Sequence, residues 1–496
     1  GAIKRTTTRN KLLDMFALGG AYRSRSDEDV ILLFKEAYEE DPVYAMKCLF
    51  YLRDVRGGQG ERRFFRVCLK YAADHYTESM RRNLEFVPEF GRYDDLYAFV
   101  GTKLESAAFD VIRKQLELDV DCKTPSLLAK WLKSENTSSH ESCELGNLTR
   151  KYLGMTHKQY RKTLSILRDR INVLERLMSE NRWDEIDFDK IPSKAGLKYR
   201  NAFARRDIIK AKYEAFAKDE NTKVNAGTLY PYECVSEALR VAGDETFHFR
   251  HRTTGDDIDR AMVNKYWDNL KDYFDGANFN GMAIVDTSGS MVRNDAAAPI
   301  NVAISLGMYC AEKAKGPFHN KFMTFSSNPT FVEIQGIDFC DKVVRILRAE
   351  WGGSTNIEAA FDLMLEVAIT YNCSQDEIPK NLIVISDMEF DSCVTSGPVS
   401  YDRWGFTRGG RLNSLSSRET LFESMKKKWA RHGYQMPKLT FWNVDARSNN
   451  IPMKDDGTVS YVSGMSPVLY EQIMKGLSAI DLMLDKLNNE RYSRIT

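Results

Sequence analysis

The stretch MAIVDTSGSM, residues 282–291, passes from an apolar run into a small, polar turn within a few residues. Residues 282–285 read as a short buried strand, and DTSGS suits neither a strand nor a helix interior. Two further segments share this design. NLIVISDMEF (381–390) is an apolar run that ends at Asp387, and WGGSTN (351–356) is a Gly-rich loop that sets Thr355 ahead of a helical stretch. Around them, strand patterns at 321–325, 330–334 and 438–444 alternate with helical ones at 297–313, 357–368 and 418–430. Such alternation predicts a doubly wound α/β domain with a largely parallel sheet covered on both faces.

Open α/β sheets bind ligands beyond the carboxyl ends of their strands. Asp286, Ser288 and Ser290 fall there, on the turn leaving the first strand, and Gly289 lets that turn wrap closely. Carboxylate and hydroxyl groups are hard oxygen donors that suit Mg²⁺ or Mn²⁺. With Thr355 and Asp387 from two other loops, five donors are expected to converge. Their order resembles the metal-ion-dependent adhesion site (MIDAS) of von Willebrand factor A (vWA) domains, which holds an ion directly or through water. The resemblance implies a coordination position left open for a partner's carboxylate or other anionic oxygen. A crest that binds an ion, or none, without using it is the plainer alternative. Glu389 and Asp391 read as a solvated rim. The polar, Gly-rich stretch 391–417 is long for a connection; it is expected to overhang the metal, with Arg403, Arg408 or Arg411 steering an anion. No general base stands near, and the seven His lack metal-ligand spacing, so no enzyme is expected.

From 27 to 273 the texture is helical, with short capped segments at 27–39, 43–52, 61–76 and 94–100. Tyr160, Leu164, Leu167, Ile171, Leu174 and Met178 lay one apolar stripe along a helix whose opposite face carries Arg161, Lys162, Arg168 and Arg170. Pairs of short helices suggest a stacked α-solenoid. Gly57, Gly58 and Gly60 in RDVRGGQGERR (53–63) follow no strand and precede no GK[ST], so they read as a helix–helix turn.

FYLRDVRGGQGERRFFR (50–66), VPEFGRYDDLYAF (87–99), the run 151–195 and LYPYECVSEAL (229–239) resemble the Ro-type (TROVE) proteins, and more closely their uncharacterised relatives in plants, bacteria and large DNA viruses. The resemblance implies an α-helical HEAT-repeat ring over residues 1–276, closed by a vWA domain with its metal site over 277–496. It also implies single-stranded RNA ends in a basic hole and structured RNA on the outer surface.

Phosphates need concentrated Lys and Arg, and unpaired bases need aromatic or guanidinium faces. The section 151–212 supplies Lys158, Arg161, Lys162, Arg168, Arg170, Lys198, Arg200, Arg205 and Arg206 as candidate RNA contacts, with Tyr160, Tyr199 and Phe203 among them. Asp169, Glu175 and Asp184 dilute this field, and a solvated helix face is the bland alternative. Arg53, Arg56, Arg62, Arg63 and Arg66 form a second basic group that lines the ring in the Ro reading. His248, Arg250, His251 and Arg252, just ahead of the first strand, form a third, with an interdomain linker as its alternative.

Composition limits rather than decides. A chain of 496 residues exceeds one hydrophobic core, and 71 basic residues against 70 acidic give a formal charge of +1, so any basic surface is local. Nine scattered cysteines with no CxxC pair argue against zinc and against a disulfide framework, which favours a reducing compartment. With no apolar run of about 18 residues and no signal-peptide pattern, the protein is expected in the cytoplasm, away from membranes. The leading expectation is a non-catalytic, Ro-like RNA-binding scaffold. Its rivals are a metal-dependent protein–protein interaction module and a virion structural protein without RNA binding.

Overall fold

A computed structural model describes residues 10–171, 174–227, 229–242, 257–273, 280–292, 298–326, 328–347, 357–387, 416–445, 459–467, 469–470, 473 and 479–496, together with the backbone of 4–5 and 451–452. Of residues 416–423 the backbone alone is described.

The chain up to residue 268 is mainly helical, and local chemistry sets many helix ends. The Ser26 side chain accepts from the Asp29 amide at 3.2 Å and starts helix Asp27–Glu40; Asp41 accepts from the Tyr44 amide at 3.0 Å, ahead of Pro42, and starts Pro42–Arg53. Thr156 and Gln159 form a capping box at the start of His157–Arg170. The apolar stripe does not run along one helix. His157–Arg170 ends at Ile171, and Leu174–Ser179 is a separate element. Tyr160, Leu164 and Leu167 join one hydrophobic cluster, whereas Leu174 and Leu177 join another. The stripe therefore turns a corner between two cores.

The described strands form a six-stranded sheet: β1 (Gly281–Val285), β2 (Lys321–Thr324), β3 (Phe331–Glu333), β4 (Asn381–Ser386), β5 (Lys438–Asn443) and β6 (Val459–Ser463). Their order is β3-β2-β1-β4-β5-β6, all parallel except β3, which pairs with β2 antiparallel at an edge. The largely parallel sheet expected from the alternation is present; β6 was not among the expected strands. The chain reverses its direction of travel across the sheet between β1 and β4, and a crevice forms where strand order switches.

Successive strand residues point to opposite faces, and here the faces belong to different clusters. Met282, Ile284, Leu382 and Val384 pack with the helices of the first 167 residues. Ala283, Val285, Ile383 and Ile385 pack with the helices of 174–267 and with Pro299–Lys313. Helical region and sheet thus share cores rather than owning one each.

The segment 488–496 binds the two ends of the fold together. Asp54 is fully buried; its Oδ1 accepts from Arg491 Nη2 at 2.8 Å and from the Arg56 amide at 3.0 Å. Its Oδ2 accepts from Arg491 Nε and, at 2.9 Å, from the Tyr492 hydroxyl. The Thr496 amide donates to Asn83 Oδ1 at 3.0 Å, and the Tyr44 hydroxyl donates to Asn488 at 2.7 Å. Removing a buried carboxylate that gathers several donors leaves them unsatisfied in low dielectric. Asp54→Ala is therefore expected to lower stability by about 2–3 kcal/mol, read as a shift in the urea unfolding midpoint; an unchanged midpoint would show that the clamp is dispensable.

Candidate nucleic-acid interface and metal crest

A cavity of about 1320 Å³ opens among the helices of the first 240 residues. Its wall carries ten Lys or Arg side chains against three Glu, so a nearly neutral chain holds a strongly basic interior. Two of the basic groups singled out in the sequence meet there. Arg53, Arg56 and Arg62 come from the Gly-rich turn, and Arg161, Arg168, Lys194 and Lys198 from helices His157–Arg170 and Ser193–Arg205.

The glycines shape that wall. A Cβ on Gly58 would lie 1.9 Å from the Tyr51 carbonyl oxygen. Gly60 has φ +69, and a Cβ there would lie 2.1 Å from the Tyr230 hydroxyl, which donates to the Gln59 carbonyl at 3.2 Å. On its other side the turn meets the loop after β6. Gln59 abuts Gly464 and Gly20, and the Ser466 hydroxyl donates to the Gly58 carbonyl at 3.3 Å.

The basic side chains divide into held and open ones. Arg53 pairs with Asp95 at 2.9 Å beneath the surface. Arg168 donates to the carbonyls of Ala129 and Leu132 and to Ser134, all at 2.8–2.9 Å, which ties two helical segments together. Arg56, Arg62, Arg92 and Arg161 make no ion pair among the described residues. Burial holds the Arg92 guanidinium below its ordinary pKa, and the neighbouring Arg62 and Arg53 push it further the same way. Burial likewise lowers Arg62, partly offset by Asp94. Crowded cations with no carboxylate facing them gain most from an anionic ligand.

Other sequence candidates lie elsewhere. Lys158, Lys162 and Arg205 are exposed but do not line the cavity. Arg170 donates to the carbonyls of Val120 and Cys122, and Arg206 lies 4.9 Å from the Trp183 ring centroid. Arg63 pairs with Asp27, and Arg66 with Asp94 and Asp95. Arg200 corrects the expectation of an RNA contact: it is 3% exposed and bonded to Glu237, Asp259 and the Leu197 carbonyl, which leaves it no face toward a ligand. His248, Arg250, His251 and Arg252 lie outside the described residues. Sequence reasoning missed Arg92, Lys130, Trp131 and Arg176 on the cavity wall. Arg92 stood within GRYDD, and only its distance in sequence from the other basic clusters hid it.

At the carboxyl edge of the sheet, Asp286 leaves β1 and Asp387 leaves β4, its neighbour. The Asp286 amide donates to the Ile385 carbonyl at 3.0 Å and so extends the ladder to the crevice. Asp286 Oδ1 accepts from the Ser288 amide at 2.8 Å, Oδ2 accepts from the Ser386 hydroxyl at 2.5 Å, and the Ser288 and Ser290 hydroxyls lie 3.0 Å apart. Both carboxylates are buried, at 3% and 1% exposure. Thr355 lies outside the described residues, as do Glu389, Asp391, Arg403, Arg408 and Arg411. Among the described residues no group of three or more His, Cys, Asp or Glu gathers as a metal cluster. The described donors are two carboxylates and two hydroxyls, a set that fits a hard divalent ion.

Among the described residues no helix is long and apolar enough to cross a membrane. Two family profiles match the chain: a domain of unknown function (DUF2828) over residues 118–275 and another (DUF7788) over residues 280–491. Among solved structures, the Ro (RSR) protein of Deinococcus radiodurans is similar at 14% identity and a TM-score of 0.47, covering 98% of this chain and 100% of that one. The uncharacterized protein L728 of Acanthamoeba polyphaga mimivirus is 32% identical over 496 residues, which cover 91% of this chain and 80% of that protein. With that identity maintained over most of both sequences, the chain belongs to the same family as mimivirus L728.

Proposed function

We propose that this chain is a non-catalytic, Ro-like RNA-binding scaffold that takes single-stranded RNA into the basic cavity. The observation that carries the reading is the cavity wall, with ten basic side chains, three acidic ones and four aromatic rings. A single strand presents phosphates to Lys and Arg and unpaired bases to aromatic faces. In this reading the helical region is a HEAT-like ring, and the α/β part, with strand order 3-2-1-4-5-6 and an antiparallel third strand, is a vWA domain that completes it.

The crest is assigned a divalent ion, Mg²⁺ or Mn²⁺, held by Asp286, Ser288, Ser290, Thr355 and Asp387. The ion would supply an open coordination position for an anionic oxygen of a protein partner. The chain's own contribution is preorganisation: the Ser288 amide and the Ser386 hydroxyl fix both oxygens of Asp286. This second site motivates the alternative of a metal-dependent protein–protein interaction module.

Fluorescence anisotropy of labelled single-stranded RNA with the full chain tests the main reading. The double variant Arg56→Glu, Arg62→Glu is expected to weaken binding by tenfold or more and to flatten the salt dependence by about one unit of log–log slope. Lys158→Glu, Lys162→Glu, off the cavity, is expected to bind nearly as wild type. Equal losses for both pairs would point to a diffuse surface and sink the cavity reading.

For the crest, Mn²⁺ is expected to raise the thermal midpoint of the wild type, since binding to the native state alone stabilises it. Asp286→Ala is expected to abolish that rise. A rise that survives in the variant would place the ion elsewhere.

A further inference from the structure

Four aromatic residues line the basic cavity: Tyr93, Trp131, Tyr160 and Tyr230. Three of them have other duties. Tyr160 is a buried core residue, and Tyr93 and Tyr230 pack against the two hydrophobic clusters. Trp131 belongs to neither cluster, although indole rings ordinarily dominate the cores they enter. It ends the short helix Leu128–Trp131 on the cavity wall, half-buried, and its indole N–H finds no hydrogen-bond partner among the described residues.

The Arg92 guanidinium carbon lies 4.4 Å from the Trp131 ring centroid, and the Lys130 ammonium lies 5.8 Å from it. Arg92 has no carboxylate partner among the described residues and stands within repulsive range of Arg62. A wall built only for phosphate would need the cations and not the exposed indole. A wall built for an apolar ligand would not gather unpaired guanidinium groups. A ligand that carries a flat ring and an anion on adjacent groups satisfies both.

We infer that Trp131 and Arg92 form a stacking ledge for one unpaired base of the bound strand, with Arg62 taking the adjacent phosphate. The inference rests on the RNA reading above and adds the residues that make the cavity select a nucleotide chain over a plain polyanion. Base stacking on such a ledge tolerates any base, because each presents a π-face.

The test compares a short oligouridylate with inorganic polyphosphate of matched charge, both titrated against the full chain. Trp131→Ala is expected to weaken oligouridylate by about five- to a hundredfold and to leave polyphosphate within twofold, while Trp131→Phe keeps most of the affinity. The ledge is overturned if Trp131→Ala weakens both ligands alike, or neither. Matching thermal midpoints of the Ala and Phe variants exclude a folding defect. A wild type that binds neither oligouridylate nor polyphosphate overturns the RNA reading itself, an outcome distinct from the loss of the ledge alone.

Discussion

Asp54 is the point on which the architecture closes. Its carboxylate is fully buried and collects donors from its own turn and from Arg491 and Tyr492, 437 and 438 positions away. A buried carboxylate is tolerated only when paired and hydrogen-bonded, so the segment 488–496 and the Gly-rich turn 54–61 hold each other. That turn has two working sides. One abuts Gly464 and Ser466 beyond β6, and the other presents Arg56 and Arg62 to the cavity. The positions of the open arginines therefore depend on a contact between distant ends of the chain.

The charge balance follows from the same arrangement. With 71 basic and 70 acidic residues, neutrality is global, but the two signs are segregated. Carboxylates such as Asp54, Glu61, Asp94 and Asp95 lie buried behind the wall and neutralise Arg491, Arg23, Arg53 and Arg66. Arg56, Arg62, Arg92 and Arg161 face the cavity without such partners among the described residues. Low-dielectric walls lined by one sign focus the field inside a cleft, which is how a chain of formal charge +1 presents a strongly cationic interior.

The crest has a different logic. It lies where β1 and β4 run side by side and the connections leave in opposite directions, so two carboxylates reach one crevice from adjacent strand ends. Ser386, the last residue of β4, clamps Asp286 from the neighbouring strand. A cross-strand bond of this kind fixes the carboxylate independently of the longer loops around it. The sheet also joins the two hydrophobic clusters, because alternate strand residues serve opposite faces.

Much of this was legible in the sequence because it is local. Apolar runs ending in polar turns marked β1 and β4; caps at Ser26, Asp41 and Thr156 marked helix starts; and the spacing of Asp286, Ser288 and Ser290 marked the crest's first loop. These signals lie within a few residues, where periodicity and turn chemistry act. The rest depends on residues far apart. Strand Val459–Ser463 is short and gains its place from pairing with β5, not from its own pattern. Arg200 looked like its basic neighbours until Glu237 and Asp259 folded against it. The stripe from Tyr160 to Met178 looked continuous until packing divided it between two clusters. Arg92 and Trp131, 39 positions apart, meet only on the cavity wall. Sequence by itself determined element type and donor chemistry, which short-range sterics and hydrogen bonding dictate. Tertiary structure alone decided which charges are neutralised and which stay open, because that depends on long-range desolvation and pairing.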